Sequence, residues 1–159
     1  MKNLIKKILK EEIDDFEWAR ELIGQLRYHE DEHSKGYFNA ENKRMGLWEI
    51  YHDNGKLIMK GEYINNQQTG PWEYYYDSGV IHGKGSFIEN KANGPWEFYH
   101  SNGELHYKGE FINNQQTGPW EYYYDNGELW RKGEYINDKK TGPWEFYRYN
   151  GELSRIIEY

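Results

Sequence analysis

Tryptophan returns every 24 residues along most of this chain: Trp48, Trp72, Trp96, Trp120 and Trp144 keep that interval without a slip. Cut at this period, the chain gives units 46–69, 70–93, 94–117, 118–141 and a shorter 142–159. A fixed period of this size is the mark of a repeat array, in which each unit packs on its neighbours. A typical unit reads Gly-Pro-Trp-Glu-(Tyr/Phe)-Tyr, an Asn-Gly-like pair, Leu, then Lys-Gly-Glu-(Tyr/Phe) and a polar stretch. Segment 64–77 recurs letter for letter at 112–125, two units on, which points to duplication of a pair.

Each unit reads as one β-hairpin. Trp72–Tyr76 is rich in strand-forming rings, and Leu105–Phe111 forms the second arm of the next unit. Between the arms lie Asn54-Gly55, Ser78-Gly79, Asn102-Gly103, Asn126-Gly127 and Asn150-Gly151. Asn-Gly between such runs signals a type I′ turn, whose two central residues both need positive φ. The stretch Ile112–Pro119 reads as a polar link ending in a Gly-Pro turn signal.

Side chains alternate across a strand, so the period of two assigns faces. Trp72 and Tyr74 share one face; Glu73 and Tyr75 share the other. On the second arm Leu57, Met59, Gly61 and Tyr63 lie together, opposite Lys60 and Glu62. Gly61, Gly85, Gly109 and Gly133 sit mid-strand, where glycine weakens a sheet unless another group lies over it. A tryptophan from an adjacent strand is expected over each. The last unit carries Ile157 at that place, as a terminal cap would.

The pattern Gly94, Trp96, Tyr99, Asn102, Gly103, Leu105, Lys108, Gly109 and Phe111 resembles the MORN repeat, in the variant of bacterial YwqK-type proteins labelled antitoxins. The resemblance covers residues 46–159. It implies a mostly β fold: an elongated single-layer antiparallel sheet of tandem hairpins. It also implies a non-enzymatic scaffold that binds protein or lipid, with no cofactor.

Ahead of the repeats, Leu4, Ile5, Ile8, Leu9, Phe16, Ala19, Leu22, Ile23 and Leu26 fall on one stripe at helical spacing. The expectation is an N-terminal helical segment over 1–33, with the helix itself at 3–27, then a polar linker over 34–45 and the repeat domain over 46–159. The helix would cover the ring-rich face, cap the first hairpin's edge, or dock to a partner or bilayer.

Composition narrows the function classes. The chain has 159 residues, 7 Trp, 16 Tyr and 6 Phe, so its apolar area is carried by rings and a disordered reading fails. A single valine speaks against an ordinary α/β enzyme core. Zero cysteines remove disulfide frameworks, thiol nucleophiles and cysteine–zinc sites, and fit the cytoplasm. Net charge is −7, concentrated in the repeats, and an acidic surface repels nucleic acid and anionic lipid. The apolar part of residues 1–10 is broken by Lys6, Lys7 and Lys10, so a cleaved signal is not expected.

His29-Glu30-Asp31-Glu32-His33 spells the zincin motif His-Glu-x-x-His. That motif needs a packed helix and a third ligand, and here it lies in the most polar part of the chain, so no metal is assigned. His52, His82, His100 and His106 occupy variable repeat positions; His100 and His106 could meet across one hairpin. No catalytic residue is assigned.

Two columns remain. Trp48, Trp72, Trp96, Trp120 and Trp144 form the structural aromatic column. Tyr51, Tyr75, Tyr99, Tyr123 and Tyr147, on the charged face, are the candidate partner-binding residues; alternatively each lies over its lysine neighbour's stem. The leading expectation is a scaffold that binds another protein by an aromatic-lined face or an open edge. The alternatives are a carbohydrate or cell-envelope binding module, and a membrane-surface adaptor acting through the N-terminal helix.

Overall fold

A computed structural model describes residues 26–159. They form one twelve-stranded antiparallel sheet. The strands are β1 (Arg27–Glu30), β2 (Ser34–Phe38), β3 (Arg44–Tyr51), β4 (Leu57–Ile64), β5 (Gln67–Tyr75), β6 (Ile81–Ile88), β7 (Lys91–Tyr99), β8 (Leu105–Ile112), β9 (Gln115–Tyr123), β10 (Leu129–Ile136), β11 (Lys139–Tyr147) and β12 (Leu153–Glu158). Each strand pairs only with its neighbours in sequence, so spatial order equals chain order. At about 4.8 Å per strand the sheet runs about 53 Å from first to last.

This corrects the expected fold class. Among the described residues the fold is all-β, without a helix. The part of the supposed helical segment that is described enters β1 at Arg27, and residues 34–38 of the supposed linker are β2. The rest of the helical expectation, at 1–25, lies outside the described residues. The overturned part has a visible cause. Lys35-Gly36-Tyr37-Phe38 repeats the Lys-Gly-x-ring signature of Lys60-Gly61-Glu62-Tyr63. It is half a repeat unit, and Gly36 receives Trp48 as Gly61 receives Trp72.

The turns also differ from expectation. Of the Asn-Gly pairs only the glycine has positive φ, 75° at Gly55. Gly55 N–H donates to the His52 carbonyl and His52 N–H to the Lys56 carbonyl, each at 2.8 Å. This is a three-residue loop: a type I turn closed by a left-handed glycine. The asparagine accepts instead, from Lys56 N–H at 2.9 Å.

The type I′ turns lie in what read as polar links. Asn65 and Asn66 have φ of 52° and 68°, and the same pair of positive angles recurs at Glu89-Asn90, Asn113-Asn114 and Asn137-Asp138. Each of these turns clasps the preceding odd-numbered strand. Asn66 Oδ1 accepts from Arg44 N–H at 2.7 Å while Asn66 N–H donates to the Arg44 carbonyl at 3.1 Å. Asn90, Asn114 and Asp138 grip Gln68, Ala92 and Gln116 in the same way. The link is therefore the fastening between repeats.

Proline is tolerated inside these strands because of a bulge. Trp72 pairs Gly61 and Thr69 pairs Glu62, so Gly70 and Pro71 share no partner on β4. Gly70 takes φ 61°, and the missing N–H of Pro71 breaks no ladder bond there.

Candidate functional site

The two faces of the sheet do different work. On one, each tryptophan lies flat across a glycine of the preceding strand: Trp48 on Gly36, Trp72 on Gly61, Trp96 on Gly85, Trp120 on Gly109 and Trp144 on Gly133. Each indole N–H donates to a backbone carbonyl near the bulge, of Tyr37, Thr69, Ser86, Thr117 or Glu134, at 3.1–3.2 Å. All five are at most 5 % exposed, in a sheet with no second layer among the described residues.

Flanking rings explain that burial. Phe38, Trp48, Tyr63, Trp72, Phe87, Trp96, Phe111, Trp120, Tyr135, Trp144 and Tyr159 form one ladder across the sheet. Successive centroids are 4.8–6.4 Å apart and the planes meet at 74–88°. Edge-to-face pairs add about 0.5–1.5 kcal/mol each beyond area burial. The core is thus a line of rings, fenced within the plane of the sheet. Ile157 stands opposite Trp144 on β12, where the other units carry a glycine.

The other face carries a row of alternating charge. Lys35 pairs Glu49 at 2.5 Å, and Lys60–Glu73, Lys84–Glu97, Lys108–Glu121 and Lys132–Glu145 follow at 2.6–3.2 Å. The candidate tyrosines stand beside this row, half-buried. Tyr51, Tyr75, Tyr99, Tyr123 and Tyr147 each donate the hydroxyl to the glutamate two residues before. The matching lysine Nζ lies 5.2–6.0 Å from each ring centroid. The structure therefore brings each tyrosine into a Lys–Glu–Tyr triad, with its hydroxyl engaged by the glutamate and its ring beside the lysine.

These contacts move the titrations in a consistent way. The lysine ammonium, then the tyrosine hydroxyl, holds Glu73, Glu97 and Glu121 below the usual carboxylate range. Partial burial, then the glutamate, pushes Tyr75, Tyr99 and Tyr123 upward. The groups are electrostatically settled; none is poised as an acid or base near neutral pH.

A further row on the charged face was missed in the sequence. Pro71, Pro95, Pro119 and Pro143 are exposed, and facing them across the ladder are Ser86, Glu110, Glu134 and Glu158. Shallow grooves of about 280, 280 and 190 Å³ lie between successive prolines. Beyond them, Ile64, Ile88, Ile112 and Ile136 are 53–60 % exposed at 24-residue intervals. The signal was an isoleucine recurring before each Asn-rich turn, on the strand face assigned to charge.

The histidine motif falls apart in space. His29 lies on β1, stacked on Trp48 at 5.8 Å, and bonds Asp31; His33 turns to Asp53 at 3.0 Å. Among the described residues no group of three His, Cys, Asp or Glu is placed to hold a metal ion. His100 and His106 do meet, with centroids 4.0 Å apart.

The MORN repeat variant model matches residues 46–65, 68–89, 92–113 and 116–137, together more than half of the chain. The chain belongs to the MORN repeat variant family. Its hairpin and ring ladder are therefore the MORN unit in four matched copies, with β1, β2, β11 and β12 outside the matched segments. No curated protein matches. Solved structures similar to it include a S. aureus TarM mutant in complex with fondaparinux, alpha-GlcNAc-glycerol and UDP, at 14 % identity and TM-score 0.33, covering 85 % of this chain and 23 % of that one. TarM itself matches at 13 %, TM-score 0.33, 87 % and 26 %. A GtfA/B complex bound to UDP and GlcNAc matches at 12 %, TM-score 0.28, 84 % and 24 %. The MORN chain spans about a quarter of those proteins' length, and at such scores the likeness carries no weight for function.

Proposed function

We propose that this MORN-repeat chain is a non-catalytic scaffold that binds another protein through the charged, proline- and isoleucine-studded face of its sheet. The observation that carries this reading is the asymmetry of the two faces. The ring ladder buries its own tryptophans. The opposite face leaves an isoleucine more than half exposed in each of four repeats. Fold stability does not demand that row, and an apolar side chain exposed at the same place in four successive repeats, about 9.6 Å apart, gives a partner a regular set of footholds. The tyrosine triads lie on the same face and repeat one set of contacts in five units, a uniform polar border to the row. An antitoxin role, as the YwqK-type label implies, is one case of such a scaffold. Zero cysteines fit a cytoplasmic setting.

A photo-crosslinking residue placed at Ile112, on the charged face, tests this in the native source. The expectation is a discrete protein adduct from position 112 and none from Lys140, whose side chain lies over the rings of Trp144 and Tyr159 on the other face. Adducts from position 140 alone, or no protein adduct together with saturable glycan binding, would overturn it.

A further inference from the structure

The proline grooves repeat with a regular step. Pro95 and Pro119 bound one, floored by Gly109 and edged by Glu110; Pro119 and Pro143 bound the next, floored by Gly133 and edged by Glu134. One strand pair separates successive grooves, a step of about 9.6 Å. Triad groups line the grooves too, Glu97, Lys108 and Glu121 the first and Glu121, Lys132 and Glu145 the second. Each of those glutamates is paired to a lysine, whereas Glu110 and Glu134 are not, so each groove keeps a net negative charge. Glu110, Glu134 and Glu158 are exposed and have no cation in salt-bridge range among the described residues. The Pro71–Pro95 groove has Ser86 at that place and Glu158 stands beyond Pro143, whereas these two grooves each carry one uncompensated carboxylate beside the prolines. That fits a side chain with an apolar stem and a cationic head, arginine or lysine.

The step selects the backbone that could deliver such side chains. A polyproline II helix turns once per three residues at 3.1 Å each, about 9.3 Å, so every third residue returns to the same side. Its mismatch with the grooves is about 0.3 Å per step. An extended strand covers about 9.9 Å in three residues but turns the third to the opposite side. An α-helix needs about seven residues, 10.5 Å, and drifts by about 0.9 Å per groove. Charge complementarity points the same way, since the chain carries −7.

Resting on the proposed scaffold reading, we infer that this face binds a basic, proline-rich segment in polyproline II conformation, laid across the strands with a cationic side chain at every third residue seated in successive proline grooves.

The test uses the full chain and three labelled fifteen-residue peptides: (Pro-Pro-Arg)5, (Pro-Pro-Glu)5 and (Gly-Ser-Arg)5. Fluorescence anisotropy at near-physiological salt should show saturable binding of the first, binding of the third at least tenfold weaker, and none of the second. The triple substitution Glu110→Gln, Glu134→Gln, Glu158→Gln should weaken the first by at least tenfold. Glu89→Gln, Glu104→Gln, Glu128→Gln removes equal charge elsewhere and should stay within twofold. Unchanged tryptophan fluorescence establishes that both variants are folded. Equal binding of the two arginine peptides, or equal losses in the two triple variants, would reduce the effect to bulk charge and overturn the inference. Displacement of the peptide by a glucan or chitin oligosaccharide would overturn it in favour of a sugar. If (Pro-Pro-Arg)5 fails while position 112 still crosslinks a protein, the inference falls and the scaffold stands; if both fail, both fall.

Discussion

Replacing Gly109 by alanine gives the most direct test of the ring ladder. A Cβ built there would lie 2.2 Å from Cδ2 and 2.3 Å from Cε2 of Trp120, far inside contact distance. The indole has nowhere to retreat. Its N–H is held by the Thr117 carbonyl at 3.2 Å, and Phe111 and Tyr135 stand edge-on at 5.1 and 5.9 Å. Overpacking of this kind costs about 1–3 kcal/mol. Alanine recovers about 0.4–1 kcal/mol by restricting the unfolded chain. The net expectation is a loss of about 1.3 kcal/mol at the midpoints, within a span of about 0–2.6 kcal/mol. Trp120→Ala alone should cost about 3–5 kcal/mol. In that background the clash is gone, so adding Gly109→Ala should be neutral or stabilise by about 0.4–1 kcal/mol. A double-mutant cycle by urea denaturation, followed by circular dichroism, reads the coupling. Strict additivity of the two substitutions in the cycle would refute the nesting of indole on glycine as the source of stability.

Three further outcomes follow from the geometry. Glu89 takes φ 48° where the other type I′ turns carry asparagine, so Glu89→Asn should stabilise by about 0.5–1 kcal/mol in thermal unfolding; no gain would mean that the turn is not under strain. His106 is held below its ordinary 6.5 by burial first, then by His100, His82 and Arg131. The unfolded chain then takes up a proton that the fold refuses, so stability falls as pH drops below about 6.5; His106→Gln should flatten that part of a melting-temperature profile, and an unaltered profile would contradict it. Lys108 lies between Glu97 and Glu121 on a half-exposed row, so Lys108→Met should cost less than about 1 kcal/mol at low salt. That cost should vanish in 1 M salt, where the Debye length is about 3 Å; a loss that persists there would show the lysine acting by packing.

Much of this fold was readable because two periods coincide. The 24-residue interval located the units, and the period of two separated Trp72 from Glu73 and placed Gly61 beneath a ring. What failed was turn chemistry and the array's beginning. Asn-Gly serves a type I′ turn or a type I turn closed by a bulge, and the number of residues between paired arms decides which. That number follows from pairing Tyr51 with Leu57, a register choice invisible in the pair itself. Once the loop takes three residues, Asn65-Asn66 must close the next hairpin in two. Ahead of β3, the polar run from His29 to Lys35 masked β1 and β2, and the decisive residue there was Gly36. The candidate tyrosines were found by repetition, but repetition alone could not tell a free ring from one tied to lysine and glutamate. The isoleucine row escaped because exposure is a property of the assembled sheet.

The strand glycines connect stability with the proposed recognition. Gly109 seats Trp120 on one face and floors the Pro95–Pro119 groove on the other; Gly133 does the same for Trp144 and the Pro119–Pro143 groove. A side chain there would have to enter one face or the other: toward the indole it clashes, and the pleat aims it that way. The groove is shallow because a single backbone layer separates the two faces, so any shift that relieves Trp120 also moves the groove floor. Glycine substitutions should therefore disturb folding and binding together and cannot separate them. The Glu134 carbonyl holds the Trp144 indole, but the carboxylates of Glu110, Glu134 and Glu158 make no hydrogen bond or ion pair with the ladder or the triads, so changing them to glutamine is the way to alter recognition while the fold is left alone.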